Sequence, residues 1–158
     1  MANTQSMCTS FMGEVLTATH NFGTAPTRGT SAADTFKAAL YLTSATVNAA
    51  TTAYSATNEV SGTNYTAGGV TVTNATAPTA TNSSSTAGVA YWTPSASITY
   101  TNVTLSSAFD AVLIYNSSQS NKAVSVHTFG SQTITAGTFT LTMPSNTTTT
   151  ALLRLSTT

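Results

Sequence analysis

Residues 109–143 read FDAVLIYNSSQSNKAVSVHTFGSQTITAGTFTLTM, and this stretch decides the fold. Residues 111–115 form the continuous apolar run of a fully buried strand, closed by Asn116, Ser117 and Ser118, whose side chains favour turns. Residues 123–129 then alternate, with Val124, Val126 and Thr128 on one face and Ala123, Ser125 and His127 on the other, until Gly130 interrupts. From Thr138 to Met143, Phe139, Leu141 and Met143 point one way and Thr138, Thr140 and Thr142 the other, the period of a half-buried strand. Ala136 and Gly137 supply the bend before it, and Pro144 ends it. The stretch predicts three consecutive strands.

Working outward, the whole chain of 158 residues is long enough to bury roughly 70% of its unfolded surface around one core. It carries four basic and four acidic residues for a net charge of zero, while Thr and Ser make up about a third of it. Binding nucleic acid by phosphate neutralisation needs clustered Lys and Arg, so scattered charge of this kind argues against it, and against an anionic membrane. Low charge also removes self-repulsion, which suits dense packing in an assembly. Cys8 stands alone, excluding an intrachain disulfide and a cysteine-rich metal site. The N-terminus lacks the pattern of a signal peptide and no apolar run reaches about 18 residues, so the expectation is a soluble product of a cytosol. The six Asn-x-Ser/Thr sequons follow from composition and carry no weight without export.

In chain order, residues 1–10 are polar and unpatterned and read as an arm preceding a single domain over residues 11–158. Residues 11–20 read as a first strand with Val15 inward, and residues 21–33 as a loop containing Gly23, Pro26 and Gly29. Residues 35–42 fit a helix capped by Asp34, yet Phe36, Ala38, Leu40 and Leu42 alternate, and turn-rich flanks favour the strand. Gly68 and Gly69 read as a tight turn feeding a strand at residues 70–73; without the lysine and hydroxyl of a P-loop they are no phosphate cradle. Residues 74–88 contain no large apolar side chain and read as a long surface loop. Residues 89–92, 96–105 and 151–155 complete the strands, with a bulge near Asn102 where the alternation changes phase. The sum is an all-β chain: an antiparallel β-sandwich or jelly-roll-like barrel of about 8–10 strands.

Chemistry is sparse. Asp110 with His127 or His20 and any serine composes a triad on paper, but no nucleophile elbow accompanies them. The two histidines are far apart with no carboxylate at ligand spacing, and nothing but arithmetic pairs the four acids for glycoside hydrolysis. No catalytic, cofactor or metal residue is assigned, and the chain reads as a non-enzyme. Pairs of Thr-x-Thr lack the regular repeat of an ice-binding array and fit exposed strand faces. Tyr91 and Trp92, adjacent in a strand, either pack or anchor an interface or sugar ring.

The segments EVSGTNYTAGG (residues 59–69), SSAFDAVLIYNSS (residues 106–118) and NKAVSVHTFGSQTITAGTFTLTMP (residues 121–144) resemble small β-rich proteins encoded among the structural genes of tailed bacteriophages. DTFKAALY and TTAYSATNEVSGTNYTAGG extend the likeness over most of residues 34–144; where this chain has Asn64, many relatives have glycine. The resemblance implies a virion component made in the host bacterial cytoplasm, most like a head decoration (cement) protein. Its implied partners are the major capsid protein and itself, as a homotrimer. Met7, Phe11, Tyr91 and Trp92 are the candidate partner contacts, with residues 1–10 or the 74–88 loop reaching a neighbouring subunit. The alternative is a tail, baseplate or fibre-associated module, or a receptor module that binds glycan.

Overall fold

The computed structural model describes residues 2–16, 18–23, 33–73, 77–81 and 88–157. Its elements run β1 (Ser6–Met7), α1 (Thr9–Leu16), β2 (Phe36–Leu42), β3 (Val70–Thr71), β4 (Thr79–Thr81), β5 (Val89–Trp92), β6 (Ile98–Asn116), β7 (Lys122–Leu141) and β8 (Leu153–Ser156). They form two antiparallel sheets, ordered β1-β7-β6-β2-β3 and β4-β5-β8. This is the expected all-β sandwich class; the described sheets do not close into a barrel.

The β6–β7 hairpin is the spine. Asn116 pairs with Lys122 across the 117–121 turn, and the ladder continues out to Ile98 opposite Leu141. The three expected strands of residues 109–143 are therefore two, because Gly130 and the Ala136–Gly137 pair bend β7 without ending it. The bend is sharp. Ten residues of extended strand span about 33 Å, yet the rings of Phe129 and Phe139 lie 5.0 Å apart and Phe109 sits 5.3 Å from Phe139. Register shifts and positive φ at Asn102 (52°) and Ala136 (46°) supply the curvature, as bulges do. The bulge expected at Asn102 is present. Asn64, where relatives carry glycine, has φ 60° and donates from Nδ2 to the Asn102 carbonyl at 2.8 Å.

Near the turn, β6 is buried at every residue from 111 to 116, and β2 pairs with it along its full length. The alternation of residues 35–42 is thus a strand. Both faces of this patch need covering. On the Phe36 side, Phe22 stacks on Phe36 at 4.4 Å and meets the ring of Trp92 of β5 at a tilt, 4.7 Å away, bringing the small sheet down. On the opposite side the excursion between β2 and β3 lies across the sheet, with Tyr54 stacked on Tyr115 at 4.7 Å. Glu59 pins that excursion, accepting hydrogen bonds from Tyr54 Oη (2.6 Å), Tyr65 Oη (2.7 Å) and the Gly68 amide (2.8 Å). Tyr41 closes it by donating to the Ser55 carbonyl; burial pushes its hydroxyl up to about 12, so it stays a neutral donor.

Two expectations are corrected. Residues 11–20 are not a strand: α1 covers Thr9–Leu16, because Phe11 and Val15, four apart, present one face to the core while Met12 stays 51% exposed. Ala18 ends it at φ 55°, with Ala18 N–H on the Val15 carbonyl and Thr19 N–H on the Glu14 carbonyl, a Schellman motif with alanine in the usual glycine place. Nor do the described residues of the 1–10 arm stand outside the core. Asn3 bonds the Leu42 carbonyl, Asp110 Oδ1 and the Val47 amide, β1 pairs with β7, and Cys8 is fully buried. Of the expected 74–88 loop, Thr79–Thr81 is a strand paired with β5, and residues 74–76 and 82–87 lie outside the described residues, as do residues 24–32 of the 21–33 loop.

Gly69 tests the docking of the excursion. It has φ 71°, and a Cβ there would fall 1.6 Å from the Ala38 carbonyl oxygen, whereas one at Gly130 meets nothing within 4 Å. Gly69→Ala should lower unfolding free energy by more than about 2 kcal/mol and Gly130→Ala change it by less than about 0.5 kcal/mol, measured by denaturant titration.

Candidate functional site: an apolar groove between helix and small sheet

Helix α1 and the small sheet do not close completely against each other. Met7 of β1, Phe11 and Val15 of α1, and Phe22 after it form one wall of the groove between them. Ala90, Trp92, Leu153 and Leu155 form the other, and their placement follows from the β5–β8 register, which sets Ala90 opposite Leu155 and Trp92 opposite Leu153 on one face. Pro78 and Tyr91 complete the rim. The cavity measures about 150 Å³ and opens to solvent at one side, which leaves room for an apolar guest about as large as a benzene ring.

All four candidate contact residues, Met7, Phe11, Tyr91 and Trp92, line this one groove. Their burial differs. Phe11 (3% exposed) and Trp92 (2%) form its floor as core residues, while Met7 and Tyr91 are half-buried at its edge. Sequence reasoning missed Val15, Phe22, Leu153 and Leu155; the last is 53% exposed, and an exposed leucine beside a buried aromatic floor marks the mouth.

His20 also lines the groove, but its chemistry is already committed. Nε2 lies 2.7 Å from Glu14 Oε2 and Nδ1 accepts from Asn116 Nδ2 at 3.1 Å, with the side chain fully buried. Asn116 in turn donates to Asp34 Oδ2 at 2.7 Å, and Lys122 reaches Glu14 Oε1 at 2.7 Å. Burial pushes the Glu14 carboxyl up, but the hydrogen bonds and charges of Lys122 and His20 outweigh it and hold the group below its ordinary value. This chain of polar side chains staples the helix, the loop after it and the hairpin turn beneath the groove.

The composed triad does not assemble among the described residues: Asp110 is bonded by Asn3, His20 by Glu14 and Asn116, and His127 Nε2 lies 2.9 Å from Ser125 Oγ. No three His, Cys, Asp or Glu side chains converge as metal ligands among the described residues. No family model, curated protein or solved structure matches the chain.

His127 gives the site region a pH signature. Burial pushes its imidazole down to about 4, so between about 6.5 and 4 the unfolded chain binds a proton that the folded one does not. Stability from this group is therefore complete above 6.5 and falls as pH drops through that window, by up to about 1.4 kcal/mol per pH unit. Chemical denaturation of wild type and His127→Gln over this range should show the steeper loss in wild type, and the His127 ring resonance should titrate near 4.

Proposed function

We propose that this chain is a structural protein of a tailed-bacteriophage virion, which decorates the capsid and stabilises it by bridging capsid subunits. The observation that carries the reading is the groove: an apolar recess open at Leu155 on a hydroxyl-rich chain of zero net charge, gathering the four residues singled out for contact. Its lining suits a branched or aromatic side chain from the major capsid protein, because burying such a group gains about 1.5–3 kcal/mol, repeated over many copies of a shell. A sugar needs hydrogen-bonding partners beside its stacking surface, and the groove's histidine has both ring nitrogens engaged, so the lining favours an apolar guest over glycan. The mechanism is mechanical: a rigid sandwich with its cover loops pinned spans two subunits and resists their separation. Self-association accompanies this reading, with three-fold grouping as the arrangement the resemblance implies.

Binding to capsids lacking this protein tests it. Purified chain added to such heads should bind saturably and lose little affinity as salt rises, since apolar contact is not screened. Leu155→Glu, a change at an exposed position, should weaken binding at least about tenfold while leaving thermal unfolding within a few degrees of wild type. Mass spectrometry that finds the protein with separated tails rather than heads, or heads that take up none of it, would sink the capsid reading in favour of the tail or receptor module.

A further inference from the structure

Among the described residues the outer edge of β7 is open over most of its length. Near the hairpin turn Ala53 bridges to Lys122, the Cys8 amide bonds the Val124 carbonyl and β1 pairs at Ser125 and Val126; beyond these the only strand that meets β7 among the described residues is β6, on its other side. Sheets normally guard such an edge with lysine, proline or an inward charge. Past its first residue this one has none: no Lys, Arg, Asp or Glu occurs between Lys122 and Arg154, and Pro144 lies past the end of the strand. Bulges distort the edge on the hairpin side of Gly137, but residues 139–141 run in regular register against Ile98, Thr99 and Tyr100. Here Phe139 and Leu141 are half-buried on the inner face, and Thr138 and Thr140 are exposed on the outer one.

We propose that residues 137–141 of β7 pair antiparallel with the same residues of a second copy, across a two-fold axis perpendicular to the sheet. The segment is self-complementary for that operation. Such an axis keeps each face of the sheet on its own side, so odd positions meet odd positions and even meet even. The half-buried Phe139 and Leu141 then complete their burial against the partner's apolar row, and threonine faces threonine, a favourable cross-strand pair. With a net charge of zero, neither copy repels the other. The two five-stranded sheets join into one continuous sheet, removing the open edge from both. This contact does not depend on the capsid reading. In a shell it links neighbouring three-fold groups; in free solution it makes a dimer.

Sedimentation equilibrium over a concentration series decides it. Wild-type protein should rise from 16.1 kDa toward twice that mass. The double variant Thr138→Lys/Thr140→Lys, which sets like charges against each other across the axis at two exposed positions, should stay at the monomer mass with unchanged circular dichroism. Hydrogen exchange at residues 137–141 should slow with concentration in wild type alone. A wild type that remains monomeric throughout overturns the proposal. So does an oligomer, dimer or trimer, whose mass and 137–141 exchange ignore the two lysines; head binding by the double variant reports on the capsid reading separately.

Discussion

A strand that is apolar at every position cannot leave either face in water, and residues 111–115 impose that condition on everything around them. Each large side chain exposed there would forfeit about 1.5–3 kcal/mol, so the fold consists of this patch and two covers. The covers solve the problem differently. On one side Phe11, Phe22, Phe36 and Trp92 make a dry aromatic layer. On the other, a loop excursion brings Tyr54 and Tyr65, whose hydroxyls end on Glu59, against Tyr41, Tyr100 and Tyr115 of the sheet, whose hydroxyls end on the carbonyls of Ser55, Ala38 and Gly68. A loop can serve as a cover only if its own polar groups are satisfied, and the carboxylate of Glu59 satisfies three of them at once.

The same economy governs the other acids. Glu14 joins helix to hairpin through Lys122 and His20, Asp34 gathers the Asn21 amide with the Asn116 and Gln119 side chains, and Asp110 holds Asn3. Glu14, Asp34 and Asp110 are thus staples between segments distant in sequence, while Glu59 ties together its own excursion. The acids are used inside the architecture, and much of the outer surface is left to threonine and serine. That division is why the surface suits close packing against neighbours, and why the apolar groove stands out upon it.

Much of the fold was legible because strand signals are local. The alternation at residues 35–42, the short strand at 89–92, the paired glycines before β3 and the phase slip at Asn102 each map onto the observed element or bulge. The errors came where a distant partner overrides a local signal. Gly130 looks like a stop, yet β6 remains hydrogen-bonded alongside and turns it into a bend. Phe11 and Val15 were too few to distinguish a two-turn helix from a strand until the Phe22 ring and the hairpin fixed which face is buried. The four candidate contacts converge, but the groove itself was illegible, because its walls come from β1, α1, β5 and β8 and only the fold brings them together. The Glu59 cluster was hidden likewise: Tyr54, Glu59 and Tyr65 are close in sequence, but nothing local says that Tyr54 stacks on Tyr115 and Tyr65 on Tyr100.

The length of the hairpin explains why one edge stays open among the described residues. β6 and β7 run to 19 and 20 residues, whereas β2 pairs with seven and β1 with two. Fully extended, twenty residues would reach about 66 Å, far beyond the covers that residues 111–116 require. Bending at the bulges folds the surplus back, and the rings of Phe109, Phe129 and Phe139 collect on the inside of the curve. Curvature solves the burial of a face but does nothing for an edge, since the outward amides and carbonyls of β7 remain whatever the ribbon's shape. A β-branched, hydroxyl-bearing residue such as threonine holds the strand geometry without adding the charge that would forbid pairing. The threonine-rich composition and the unguarded edge are therefore consequences of one choice: a long curved ribbon with few charges on its exterior.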